Sequence, residues 1–202
     1  AFSVATDVSG NVFMTGNFQN TITFGTTTMT ATGLGVYLVK YDRNGNLLWA
    51  RSASGSGSLS VYCVTTDPAG NAYIAGRTGL QINIGSYSLI NSSGSLYHVF
   101  IAKYGSSGNV VWAYQAGVNG NDMPWGIFAD AFGGVYMGGV LQSDSIVFGS
   151  QVLHKAPGGN NDFFLVKYDT AGNARWIRGA RGSPLNLDRK STRLNSSHVS
   201  ES

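Results

Sequence analysis

Glutamate is almost missing from this 202-residue chain: Glu201 is the only one. Lysine, arginine, aspartate and glutamate together supply 11% of the residues, less than half the usual quarter. That shortage disfavours a helical bundle, whose faces are filled by Ala, Glu, Lys and Leu. Disorder is disfavoured too, since it needs high charge and few aromatics, and aromatics reach 12% here. Cysteine occurs once, at Cys63, so no disulfide can close within the chain. No apolar run is long enough to cross a bilayer as a helix, and membrane insertion is not expected. The formal net charge is +3, but no Lys/Arg cluster lies in the patterned region. A nucleic-acid partner would need a concentrated basic face, so none is expected. Ala1 is preceded by no Met and followed by no signal peptide, which reads as a processed or cut end.

What the chain has in quantity is glycine, 28 residues, and hydrophobic residues, 43%. Both suit a β-rich protein with many tight turns. Self-similarity organises it. The run Asp7-Val-Ser-Gly10-Asn11-Val-Phe13 returns as Asp67-Pro-Ala-Gly70-Asn71-Ala-Tyr73 and as Asp130-Ala-Phe-Gly133-Gly134-Val-Tyr136. A second landmark, Lys40-Tyr41-Asp42-Arg-Asn-Gly45-Asn46-Leu-Leu-Trp49, returns at Lys103 to Trp112 and at Lys167 to Trp176. Phe24-Gly25, Ile84-Gly85 and Phe148-Gly149 lie between the two. The unit is about 63 residues, present three times, with repeats over roughly 1–60, 61–123 and 124–187.

Each unit reads as strands. Gly-Asn between alternating apolar runs signals a hairpin, on the ground that both residues tolerate positive φ. The first hairpin joins residues 2–7 to 12–18, and the second joins 36–42 to 47–52. A Thr-rich pair, near 22–24 and 27–30, lies between them. The strand Val36-Tyr37-Leu38-Val39-Lys40-Tyr41 and its two counterparts are apolar on both faces, hence buried on both faces. Small sheets stacked around an axis provide such burial, so the expected fold is all-β: a partial β-propeller with one blade of four to five short antiparallel strands per repeat. A parallel β-helix would need a shorter repeat. Trp49, Trp112 and Trp176 are expected between neighbouring blades. Three repeats cannot close a ring of four to eight blades, so an open arc with apolar terminal faces is expected, covered by missing blades of the same chain.

The landmark set D-x-x-G-N-x-Y, then F-G, then K-Y-D-x-x-G-N-x-x-W, resembles the SBBP β-propeller repeats of bacterial secreted proteins. It covers nearly all of residues 1–180. Gly134 replaces the first Asn in the third copy and Gly105 the Asp in the second, which argues against a required ligand at either position. The resemblance implies a large extracellular or cell-surface protein, an extracellular ligand of protein or glycan type, and no catalytic motif. The expected role is therefore a non-catalytic binding or adhesion scaffold, or a spacer. The alternative is part of a propeller enzyme, carbohydrate-active or quinone-dependent, with its active site in other blades.

No catalytic residue, cofactor site or metal site is expected. Asp42-Arg-Asn44-Gly45-Asn46 faintly echoes a calcium loop, but no bidentate Glu follows, and an Asx-stabilised turn explains it. Asp7, Asp67 and Asp130 are read as turn caps. Lys40, Lys103 and Lys167 are read as pairing with an acid or snorkelling to a blade edge; a Lys-lined central channel for anions is the functional alternative. Cys63 is read as a small buried residue, His98 and His154 as surface residues. The loop carrying His154, Lys155 and Asp162 is the best candidate for a specific contact. Residues 188–202 break every pattern, and Asp188 to His198 match the in-frame translation of a common sequencing-library adaptor. They are expected to form a non-native, disordered tail after a 1–187 propeller region.

Overall fold

A computed structural model describes residues 2–92, 97–117, 120–157 and 161–181; the proposed tail lies outside them. Among the described residues there are sixteen strands and no α-helix. In chain order they are β1 (Ser3–Thr6), β2 (Val12–Phe24), β3 (Thr27–Tyr41), β4 (Leu47–Ser56), β5 (Leu59–Thr66), β6 (Ala72–Thr78), β7 (Gln81–Ile84) and β8 (Tyr87–Ile90). There follow β9 (His98–Tyr104), β10 (Val110–Ala116), β11 (Met123–Ala129), β12 (Val135–Leu141), β13 (Ser145–Phe148), β14 (Gln151–His154), β15 (Asp162–Tyr168) and β16 (Ala174–Arg181). Each repeat is a four-stranded antiparallel meander: β1-β2-β3-β4, then β5-β6-β9-β10, then β11-β12-β15-β16. The Thr-rich pair recurs as a hairpin between the second and third strands. In repeats two and three it is separate (β7–β8 and β13–β14), whereas in repeat one it is the continuation of β2 and β3 beyond a register shift at Gln19/Thr21.

The Asp-x-x-Gly-Asn turns are built alike. In the first, the Gly10 N–H donates to the Asp7 carbonyl and the Asp7 N–H to the Asn11 carbonyl. The carboxylate of Asp7 accepts from the Ser9 and Asn11 backbone N–H groups at 3.0 Å each and from Asn11 Nδ2 at 2.8 Å. Asp42 and Asp67 repeat this arrangement. Of the two turn residues that tolerate positive φ, one adopts it. Glycine alone takes it, at 86° for Gly45, 83° for Gly108 and 87° for Gly172, and among the described non-glycine residues only Asn20 has φ above zero. The asparagine serves through its carboxamide, which ties the turn to its aspartate.

The first strands of successive repeats adjoin, β1 against β5 and β5 against β11, while the fourth strands stand apart. The wedge between them is filled by the hairpins. β7 pairs with β4 of the preceding repeat (Ser54↔Asn83, Gly55↔Ile82, Ser56↔Gln81), and β8 reaches β10. A side chain at Gly55 would overlap the Gln81 carbonyl, so the close approach requires glycine there. Likewise β13–β14 lies between β10 and β16.

One joint recurs between consecutive sheets. Trp49 Nε1 donates to the Ser106 carbonyl at 3.0 Å, and Trp112 Nε1 to the Thr170 carbonyl at 3.3 Å. Each indole covers the left-handed glycine of the next repeat's turn: a Cβ on Gly108 would lie 2.9 Å from Trp49, and one on Gly172 would lie 2.9 Å from Trp112. The apolar cores are these joints. Phe13, Val36 and Leu38 face Leu59, Val64 and Ile74 in one; Tyr73, Val99 and Ile101 face Val135, Met137 and Val166 in the other. As expected from its sequence, β9 is buried along its whole length, on both faces.

Gly108 and Gly45 separate joint from turn. Both have positive φ, but a Cβ at Gly45 meets nothing within 4 Å. Gly45→Ala is expected to cost about 1–2 kcal/mol of left-handed strain. Gly108→Ala carries the same strain plus displacement of the Trp49 ring, about 1–3 kcal/mol more by analogy with overpacked cores. Urea denaturation of the two variants side by side checks the difference; equal losses would remove the joint from the account.

Candidate functional site

The repeated polar positions converge on the joints. In each sheet a lysine stands over an aromatic ring, which in turn meets the tryptophan. Lys40 Nζ lies 4.8 Å from the Phe13 centroid, Lys103 5.2 Å from Tyr73 and Lys167 4.9 Å from Tyr136. The Phe13–Trp49, Tyr73–Trp112 and Tyr136–Trp176 centroids are 5.8, 5.9 and 6.0 Å apart. A cation held on a ring face in this way is attracted by the ring quadrupole.

Lys40 pairs with Asp7 at 3.4 Å and Lys167 with Asp130 at 3.9 Å, as the sequence suggests. Lys103 differs, donating instead to the Thr170 carbonyl of the next repeat at 3.3 Å. The ring hydroxyl bonds the turn aspartate where the aromatic is tyrosine: Tyr73 to Asp67 at 2.9 Å and Tyr136 to Asp130 at 3.1 Å. Lys40 and Lys103 are buried between sheets.

Burial raises the carboxyl of Asp7, but bonds from Asn11 and Lys40 outweigh it and leave it below the ordinary value of 3.8. Asp130 is lowered in the same way, burial being outweighed by the Gly134 and Phe132 N–H groups, Tyr136 and Lys167. Asp42 is lowered first by Asn46, and Asp169 by the Asn173 backbone.

The loop residues singled out from sequence do share one cleft. His154, Lys155 and Asp162 line a space of roughly 400 Å³ with Leu153, Pro157 and Arg181, between β14, β15 and the end of β16. Their states differ. His154 is exposed. The Lys155 ammonium donates to the Gln142 carbonyl at 3.0 Å and stands 3.9 Å from the exposed Asp144. Asp162 is buried and accepts from the Ala156 N–H at 2.7 Å, closing the loop from inside. Two cationic side chains and an imidazole at a cleft mouth can hold an anionic or polar group. Among the described residues, no three His, Cys, Asp or Glu side chains stand close enough to hold a metal ion.

Other positions fall into structural roles. Cys63 is buried, and burial pushes its thiol up to about 12, so no thiolate forms near neutrality. His98, expected at the surface, is instead buried at the start of β9. Asp122 is fully buried and accepts from the Gln142 and Ser143 N–H groups. Sequence reasoning missed Arg51, whose Nε donates to the Gly108 carbonyl at 2.9 Å and so reinforces the Trp49 joint. The available signal was an arginine two residues after tryptophan in repeats one and three.

The sequence is similar to that of a known protein. Over 140 residues, 59% of this chain, the sequence is 31% identical to the Uncharacterized WD repeat-containing protein L264 of Acanthamoeba polyphaga mimivirus. The fold is that of a partial β-propeller. The chain spans about a tenth of the length of that relative. No model of a known protein family matches the chain. The three repeat sheets are thus three consecutive blades, and the joints are blade-to-blade contacts.

The lowered carboxyls fix the acid dependence of this propeller. A carboxyl lowered by folding stabilises the fold above its unfolded value, and that contribution is lost as pH falls through the folded value. The thermal midpoint is therefore expected to drop as pH falls from about 3.8. Asp7→Asn leaves Lys40 buried without its acid and is expected to cost about 3 kcal/mol at pH 7, with a shallower acid transition. Melting curves from pH 2 to 7 check both; an unchanged transition in the variant would contradict the assignment.

Proposed function

We propose that the chain is a non-catalytic propeller scaffold of SBBP type, within a larger secreted or cell-surface protein of a bacterium, presenting a binding surface or acting as a spacer. The observation that carries the reading is where the recurring ionisable side chains go. Asp7, Asp67 and Asp130 hold turns, Lys40 and Lys103 sit on aromatic rings at the joints, and Lys167 sits on the ring of Tyr136. The repeat thus devotes its charges to building blades. The similarity to a WD repeat-containing protein supports a propeller-type scaffold, and the landmark set supports the SBBP assignment.

Variation is concentrated in the segment between the second and third strands of each blade, which includes the cleft of His154, Lys155 and Asp162. A ligand of protein or glycan type bearing a carboxylate or sulfate would meet the cations there. Protease treatment of intact source cells, followed with an antibody against the repeats, tests the location: loss of signal from intact cells is expected, and protection until lysis would overturn the surface assignment. Binding to an array of acidic glycans, with Lys155→Ala as the comparison, tests the contact. Roughly tenfold weaker binding by the variant is expected, about what a lost charge-assisted bond costs.

A further inference from the structure

The two joints follow one plan but are not equally filled. In the first, Arg51 clasps the turn of the next blade: its Nε donates to the Gly108 carbonyl at 2.9 Å and its Nη2 to the Ser107 carbonyl at 3.2 Å. Val110 packs against the tip of the β7–β8 hairpin, where a Cβ on Gly85 would lie 2.8 Å from it. The Tyr87 hydroxyl donates to the Val111 carbonyl at 2.8 Å and holds the same hairpin down.

In the second joint the repeat has Tyr114 in place of Arg51, Ala174 in place of Val110 and Gln151 in place of Tyr87. A Cβ on Gly149, the counterpart of Gly85, meets nothing within 4 Å. A cleft of roughly 300 Å³ opens between β10, the tip of the β13–β14 hairpin and the Gly172 turn. Both sides of this joint are present in the chain, so the opening is a property of the joint itself.

The walls are aromatic and polar but carry no charge. Phe148 and Tyr168 line the cleft from the buried side. Tyr114 is 42% exposed, and its ring is steadied by Trp112, 5.5 Å away at 32°. Ser150 and Asn173 are exposed beside it. Gln115 donates through Nε2 to the Ile90 carbonyl, while its Oε1 is buried with no hydrogen-bond partner. Among the described residues that line the cleft there is no Asp, Glu, Lys, Arg or His. An ion of either sign would therefore leave water without a counter-charge. A wholly apolar ligand would leave the amides and hydroxyls unpaired. A ring with one C–H face and hydroxyls around its rim meets both kinds of wall. The volume lies at the lower limit for small-molecule sites, which suits one such ring.

We infer that this cleft binds a single neutral sugar ring, free or at the end of a glycan. The C–H face of the sugar lies on Tyr114, and its hydroxyls bond Ser150, Asn173 and the acceptor of Gln115. The cleft shares no residue with that of His154, Lys155 and Asp162, so it stands or falls separately from the contact proposed above.

Titration calorimetry with the methyl glycosides of glucose, galactose, mannose, fucose and N-acetylglucosamine tests it, with methyl glucuronide and glucose 6-sulfate as charged controls. At least one neutral glycoside is expected to bind with a millimolar or lower dissociation constant, as befits one small ring, and the charged controls roughly tenfold more weakly. Ala174→Val refills the cleft with the residue of the first joint and is expected to weaken binding roughly 30-fold or more, with the thermal midpoint kept or raised. Tyr114→Ala removes the platform and is expected to weaken binding roughly tenfold, whereas Tyr114→Phe keeps the ring and binds within about threefold of wild type. The two Tyr114 variants decide the matter if Ala174→Val fails to fold. Absence of binding by every neutral glycoside would overturn the inference. So would tighter binding of a charged control, or affinity unchanged by both Ala174→Val and Tyr114→Ala.

Discussion

An indole lying on a glycine is the contact on which the stacking of blades rests. Trp49 and Trp112 reach the carbonyls of the next blade's turn only because Gly108 and Gly172 carry no Cβ. The same glycines are needed for a second reason, since their φ of 83° and 87° is strained for other residues. One residue therefore fixes both the turn and the distance between sheets. The indole nitrogen finds a partner in the otherwise apolar joint, which a buried tryptophan requires. Arg51 extends the contact by donating to the carbonyl of the covered glycine.

The low charge content follows from the same design. A joint buried on both sides tolerates a charge only when it is neutralised or bonded. Each recurring lysine meets that condition with a ring beneath it and an acid or carbonyl beside it. The environment grades along the chain: the Lys40 side chain is 7% exposed and that of Lys167 31%. The difference tracks the presence of a following blade, because Lys167 lies on the open side. The alternation of β15, buried on one face and exposed on the other, has the same origin. Its sequence is as apolar as that of β9, but among the described residues no further sheet packs on its outer face.

Local features were legible in the sequence. The Asp-x-x-Gly-Asn turns, the strands they join, the repeat length and the tryptophans at the joints all have signatures within a few residues. Non-local pairing did not. Nothing in Gln81–Ile84 announces that it adds to β4 of the preceding blade, because that bond joins backbone to backbone and needs only Gly55 opposite. The fusion of hairpin and meander in repeat one, marked by the shift at Gln19/Thr21, was equally silent. His98 reads as polar, yet β9 is enclosed from both sides and takes it inside. At the candidate cleft, proximity of His154, Lys155 and Asp162 followed from their shared loop. That Asp162 is turned inward to close the loop did not.

The hairpins show how such a repeat accommodates variation. A blade-to-blade joint fixes the turn at one end and the tryptophan opposite it, and the first strands crowd together along the inner edge. The fourth strands diverge, so the wedge between them needs filler. Ile82 and Ile84 fill it in the second repeat, Ile146 and Phe148 in the third, and Ile22 and Phe24 lie on the first blade's own face. Only these inward residues are constrained. The segment that follows His154 lines a cleft with Lys155, Pro157 and Asp162. Loops supported by a rigid scaffold vary more freely than the elements they connect. In this propeller, the divergence of the blades sets where such loops emerge.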